Sequence, residues 1–297
     1  FPVTLADGGV VMLRQPALAI TNLGYGPLHP QTEISARVAP PMIGLGLLTA
    51  IDPADILARE DPDDRDGDGI SGRANRVWDA SGAITVIGRF GWKAGQPTLP
   101  QQNAAAFNGD MGITSFLFAL TECPADPAVC QALAGGEPEL EPHIQEQVDF
   151  YSANLAVPAR RNINDPAVRE GWQVFLDAGC AACHIPTWKT GPSPHEWLSH
   201  QTIHPFTDLL LHDMGPGLAD GRGEFLASGS EWRTPPLWGI GLTEVVSGHT
   251  FFLHDGRARN LLEAILWHGG EAAASQEAVR QLPTRKREAL LAFLNSL

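Results

Sequence analysis

GCAACH, residues 179–184, decides how the rest of this 297-residue chain is read. The spacing C-x-x-C-H is the one by which haem c is covalently attached. Two thiols one short turn apart, Cys180 and Cys183, add to the two porphyrin vinyl groups. The adjoining His184 then lies beneath the iron as proximal ligand. Two other readings fit less well. A thioredoxin-type redox pair wants a βαβ context that the flanking sequence lacks. A four-cysteine zinc site needs Cys123 and Cys130 as the second pair. Their spacing exceeds the usual two to four residues.

Outward from the motif the pattern is helical. Asp165-Pro166 places an N-cap before an N1 proline and predicts a helix over 166–178, with Val168, Trp172 and Phe175 on one side to cover a haem. After a long middle rich in Gly, Pro and His, helices are expected from Asn260 to His268 and from about 284 to 296. Upstream, Asp126-Pro127 offers another helix start and Gly135-Gly136 a stop. Residues 3–14, VTLADGGVVMLR, are two alternating runs around Asp7-Gly8-Gly9, the composition of a tight hairpin. Between them, residues 52–68 hold eight acids, and Gly and Pro interrupt the chain to about 125 too often for a long helix. The expected fold is mainly α: a cytochrome c-like helical haem domain over 161–297, preceded over 1–160 by a loop-rich region with a short β-hairpin.

Composition sets the outer limits. With 43% hydrophobic and 18% charged residues the chain is globular. Its 31 glycines and 24 prolines make much of it loop. A net charge of -14 opposes nucleic acid or anionic membrane as partners and suits a cationic one. The longest apolar run, MIGLGLLTAI at 42–51, is far short of the roughly 20 residues that span a bilayer. The chain opens on Phe1 without a signal-like segment, which reads as a processed or truncated product.

A second iron ligand has two candidates: Met214 in LLLHDMGPG, about thirty residues past the motif in a flexible loop, and His268, at the end of an apolar helix with Gly269-Gly270 behind it. Cys123 and Cys130 bracket CPADPAVC. Haem attachment takes place outside the cytoplasm, where paired thiols oxidise, so a local disulfide is the better reading and two buried free thiols the alternative. In DPDDRDGDGISG, 61–72, Asp64, Asp66 and Asp68 alternate before Gly69. This matches the first half of a calcium loop, with the Ile70 carbonyl as the next oxygen. Asn75 stands where that loop has its glutamate, which leaves a solvated acidic turn as the other reading.

The stretches GCAACH, EWRTPPLWGIGLT (231–243), FLHDGRARNLLEAILWHGG (252–270) and LLAFLNSL (290–297) resemble the electron-transfer domain of bacterial dihaem cytochrome c peroxidases. Most of the chain resembles the related dihaem, thiol oxidoreductase-like family. In the peroxidases a methionine followed by glycine closes the helix after an H-D-G-like turn and ligates the iron. His268-Gly269 holds that place here. The resemblance therefore implies bis-histidine ligation by His184 and His268, and a lower reduction potential than methionine gives. GRFGWKAGQPTLPQQNAAAFNGDMG, 88–112, resembles the peroxide-pocket segment, in which a tryptophan between the haems is followed by a glutamine and a Glu-Met pair. Trp92, Gln102, Asp110 and Met111 fall in that order, with aspartate in place of glutamate. The resemblance assigns Asp110 proton transfer to peroxide, and implies a second haem in an upstream module, since the chain holds one C-x-x-C-H. The expected function is a periplasmic haem c oxidoreductase of peroxidase type, fed by a small cytochrome- or cupredoxin-type donor and acting on a small-molecule oxidant. The contrasting expectation is a monohaem electron carrier without catalysis.

Overall fold

The computed structural model describes residues 1–24, 26–120, 128 and 138–297. The Cys123–Cys130 pair, the Asp126-Pro127 cap and the Gly135-Gly136 stop lie outside the described residues. Among the described residues there are nine α-helices and four two-stranded antiparallel sheets. The architecture is thus mixed rather than mainly α. Long Gly- and Pro-rich connections that run through the interior must pair their peptide groups, and strands of two to four residues do this where no helix can form.

The N-terminal hairpin forms as its composition predicts. Pro2–Thr4 pairs with Val10–Met12, and Gly8, at φ +85°, makes the turn. A second hairpin joins Arg76–Asp79 to Ile84–Ile87. The expectation of no long helix before 125 is overturned by the 13-residue helix Leu99–Met111. Its proline lies in the first turn, behind the Thr98 cap, and starts the helix instead of breaking it. Gly112, left-handed at φ +72°, ends it. A further helix, Pro142–Asn154, also starts on a proline.

Beyond 160 the helices Pro166–Asp177, Leu261–Leu266 and Thr284–Ser296 lie close to where the sequence places them, with Ala273–Arg280 added between the last two. Asp165 caps the first by accepting from the Ala167 N–H at 2.8 Å, and Asn260 caps the second from the Glu263 N–H at 2.9 Å. Pro166–Asp177 crosses Thr284–Ser296 at Gly171, where a Cβ would meet the Ala289 carbonyl oxygen at 1.9 Å. Around the crossing Phe175 and Phe293 lie 5.3 Å apart between ring centroids, with Trp172 and Phe206 packed on both. This cluster, with Val168, Leu237, Leu261, Leu290 and Leu294, comes wholly from beyond 160. A separate core joins Leu48, Ile51, Ile56, Phe90 and Leu99 to Trp188, Ile203, Leu209 and Trp238, so the N-terminal half wraps onto the loops that follow the motif. No described helix is long and apolar enough to cross a membrane.

Replacing Gly171 by alanine forces the two helices apart and lowers unfolding free energy by about 1–3 kcal/mol. The matched change Gly109→Ala, where a Cβ meets nothing within 4 Å, is neutral or stabilising. Urea unfolding followed by circular dichroism measures both, and equal effects at the two positions refute the close-crossing account.

Candidate functional site

The motif is presented by a helix end. Pro166–Asp177 stops at Ala178, Gly179 takes the left-handed conformation at φ +77°, and a single 3₁₀ turn, Cys180–Ala182, follows. The His184 N–H donates to the Cys180 carbonyl at 3.0 Å, closing the turn that sets both thiols and the imidazole on adjacent positions. Burial pushes the Cys180 thiol up to about 11 and raises Cys183 as well. Thiols held protonated in this way suit neither a redox-active pair nor a ready zinc thiolate site.

His184 Nδ1 lies 2.9 Å from the Phe206 carbonyl oxygen. A carbonyl can only accept, so Nδ1 carries the proton and Nε2 keeps its lone pair. Phe206 itself sits at φ +57°, an uncommon conformation for a bulky residue, and its carbonyl is the one that orients the ring. His268 repeats the arrangement: its Nδ1 donates to the Ala264 carbonyl at 2.8 Å, one helical turn back. Among the described residues neither Nε2 has a hydrogen-bond partner. Desolvation, first, pushes His184 down to about 4 against the Phe206 bond, and the charge His268 would carry lowers it further. Desolvation lowers His268 too. Both rings are neutral at pH 7, with free nitrogens, in the form an iron ligand requires. Two thiols, two oriented neutral imidazoles and the aromatic cluster around Phe206 fit a covalently tethered haem. Met214, the other ligand candidate, packs with Leu5, Leu13 and Trp267 beneath the N-terminal hairpin.

Beside the motif lies a cluster that the sequence reading did not single out. His212 is buried with Nε2 2.8 Å from Asp208 Oδ2 and Nδ1 2.7 Å from Glu271 Oε2; Cys183 Sγ is 3.7 Å from the same Nδ1. Desolvation opposes its charge, but hydrogen bonds to Asp208, Cys183 and Glu271 outweigh burial and push its pKa up to about 12. The available signal was in DLLLHD, 208–213, where two polar groups four apart flank three leucines that must be buried.

Trp92 donates from Nε1 to the Val38 carbonyl at 2.7 Å, and Arg233 fastens its turn from behind, Nε to the Gly91 carbonyl and backbone N–H to the Trp92 carbonyl, both at 2.8 Å. Gln102 comes up against that turn: its Oε1 is 3.8 Å from where a Cβ on Gly91 would stand. Asp110 and Met111 are exposed at the far end of the same helix, roughly 12 Å along its axis from Gln102 at 1.5 Å per residue. The structure therefore joins Trp92 to Gln102 and leaves Asp110 apart from both. In the acidic loop, carboxylate oxygens of Asp64, Asp66 and Asp68 lie within 4.8 Å of one another. Each also accepts a backbone N–H, from Gly69, Asp68 and Ile70 respectively. Asn75 is wholly buried and committed elsewhere, bonding to Lys93, Glu224 and Leu226, so it does not complete the loop.

The two thiols of the motif and the two carbonyl-held imidazoles are the residues that would hold a haem. Comparison with protein families agrees at the level of class: residues 2–297 match the family described as "Di-haem oxidoreductase, putative peroxidase". The chain belongs to that di-haem oxidoreductase family. Among solved structures it is similar to a chain of Kuenenia stuttgartiensis hydrazine synthase, pressurised with 20 bar xenon, at 15% identity over 97% of this chain and 100% of that one, with a TM-score of 0.40. Comparison with curated proteins gives no match.

Proposed function

We propose that this chain is a periplasmic c-type haem oxidoreductase of peroxidase type, whose 161–297 part is a cytochrome c-like electron-transfer domain. The observation that carries the reading is the matched pair of imidazoles, each held by a backbone carbonyl through Nδ1 with Nε2 free, one of them directly following the two thiols of the C-x-x-C-H motif. Cys180 and Cys183 would tether the haem, and His184 and His268 would bind its iron. When bound, the haem supplies a one-electron ferric–ferrous couple. Covalent attachment outside the cytoplasm supports the periplasmic location, and the charge of -14 supports a cationic donor of the small cytochrome or cupredoxin kind. Trp92, gripped through its ring nitrogen and its peptide, keeps a fixed orientation as a path for electrons towards a second haem site. At that site Gln102 would orient peroxide and Asp110 would take a proton from it and return it to the leaving oxygen.

A second reading, a monohaem carrier without catalysis, is favoured by the separation of Asp110 from Trp92 and Gln102. A pyridine haemochrome count on the protein from its native source discriminates: two haems per protein support the oxidoreductase with a peroxide site, one supports the carrier. The ferric protein shows a low-spin bis-imidazole spectrum, and His268→Met raises its reduction potential. A spectrum unchanged in His268→Ala, but altered on replacing Met214, refutes the ligand assignment.

In a preparation holding both haems, Asp110→Asn slows peroxide reduction by about 10²- to 10⁴-fold while leaving the spectra intact. Equal turnover of wild type and variant removes Asp110 from the chemistry. For the acidic loop we propose calcium, held by Asp64, Asp66, Asp68 and the Ile70 carbonyl. Chelation with EGTA then lowers the melting temperature of the wild type and leaves Asp66→Ala unmoved; identical curves in both mean a solvated turn.

A further inference from the structure

The chain leaves the His268 helix through Gly269-Gly270 and reaches Glu271, whose carboxylate is held on all sides. Oε2 accepts from His212 Nδ1 at 2.7 Å and from the Ser71 N–H at 3.1 Å. Oε1 accepts from the Ser71 hydroxyl at 2.9 Å and from the Asp213 N–H at 3.0 Å. His212, with a carboxylate at each ring nitrogen, is an imidazolium, because carboxylates can only accept. Its far side is fixed by Asp208, whose other oxygen takes the Leu210 N–H at 2.9 Å. The backbones beneath these side chains touch as well. A Cβ on Gly270 would meet the Asp213 carbonyl oxygen at 2.1 Å, and one on Gly72 would meet His212 Cε1 at 2.7 Å. Gly270 lets the turn after His268 lie against the strand that carries His212, and Gly72 lets the Ser71 loop close over the His212 ring.

We propose that Glu271 is a positioning residue which, through the buried His212 and its contact with Cys183, fastens the turn behind His268 to the side of the site where the haem is tethered, and so keeps the His268 imidazole on the iron. This rests on the bis-histidine reading above. The physical basis is the one that applies to outer partners of metal-bound histidine generally: a ligand on a tethered segment rebinds faster than it escapes, and loosening its support costs about 10- to 100-fold in affinity. With Glu271 gone, the His212 imidazolium loses one of its two carboxylates in a desolvated place, and the turn and strand separate to admit water.

The test uses the haem-loaded protein, with absorption spectroscopy for spin state and stopped-flow binding of carbon monoxide to the dithionite-reduced form, a rate set by His268 leaving the iron. Glu271→Ala is expected to bring in a high-spin ferric fraction and speed carbon monoxide binding by about 10- to 100-fold. Glu271→Gln keeps an acceptor for the Asp213 N–H and the Ser71 hydroxyl but loses the charge and the acceptor that faces His212 Nδ1 and the Ser71 N–H, so it moves both readouts in the same direction by less. It also decides the matter where the alanine variant fails to accumulate. Low-spin spectra and wild-type rates in both variants, even with a lowered melting temperature, overturn the clamp and leave Glu271 a merely structural residue. A wild-type spectrum insensitive to His268→Ala overturns the ligand assignment and the clamp with it, which separates the two failures.

Discussion

Where Pro166–Asp177 crosses Thr284–Ser296, Gly171 leaves no space for a side chain against the Ala289 carbonyl, and two helices come together almost backbone to backbone. That approach draws Phe175, Phe293, Trp172 and Phe206 into one aromatic cluster. Phe206 is where packing becomes chemistry. Its ring belongs to the cluster, and its carbonyl, turned by a left-handed backbone, orients His184. The same first helix ends at Gly179 and delivers the two cysteines. Local geometry at the motif is therefore set by a contact two helical turns upstream of it.

The site uses burial to opposite effect on three histidines. His184 and His268 are desolvated and meet only a backbone carbonyl through Nδ1, which offers no compensating charge, so they stay neutral and keep a lone pair. His212 is desolvated too, but lies between Asp208 and Glu271 and stays charged. The partner rather than the degree of burial decides which imidazole can bind metal and which can only hold structure. It is also why the His212 cluster, although it brings Cys183, Asp208 and His212 within 4.8 Å, reads as a clamp instead of a metal site: both ring nitrogens already carry protons.

Legibility followed the range of the cause. The 180–184 turn, the caps at Asp165 and Asn260, the hairpin at Asp7-Gly8-Gly9 and the final helix all depend on neighbours within a few residues, and the sequence displays them directly. Leu99–Met111 is hidden because a proline and two glycines look like interruptions, whereas Pro100 sits in the first turn, Gly109 faces open space and Gly112 makes the stop. The pairing of His212 with Glu271 spans 59 residues, and no pattern in one sequence links them. The order Trp92, Gln102, Asp110 was visible through resemblance, yet their order along the chain says nothing of the helix length that carries Asp110 away from the other two.

The strand pair Leu211–Asp213 and Glu231–Arg233 ties these pieces into one unit. On one strand His212 touches Cys183; directly across the ladder from it stands Trp232, and next to that Arg233 grips the Trp92 turn. Trp232 stacks on His254 at 3.7 Å between centroids, and His254 meets Trp92 edge-on at 6.5 Å. On the other face of the network, Lys93 Nζ is 4.0 Å from the centre of the Trp232 ring and 3.3 Å from Asp220, a buried cation with its counter-charge in place. A short ladder thus connects the 180–184 turn to Trp92 through hydrogen bonds and ring contacts. The buried His212, held between Asp208 and Glu271 at the centre of the ladder, and the Lys93–Asp220 pair beside Trp232 hold the turn and the tryptophan in a fixed relation.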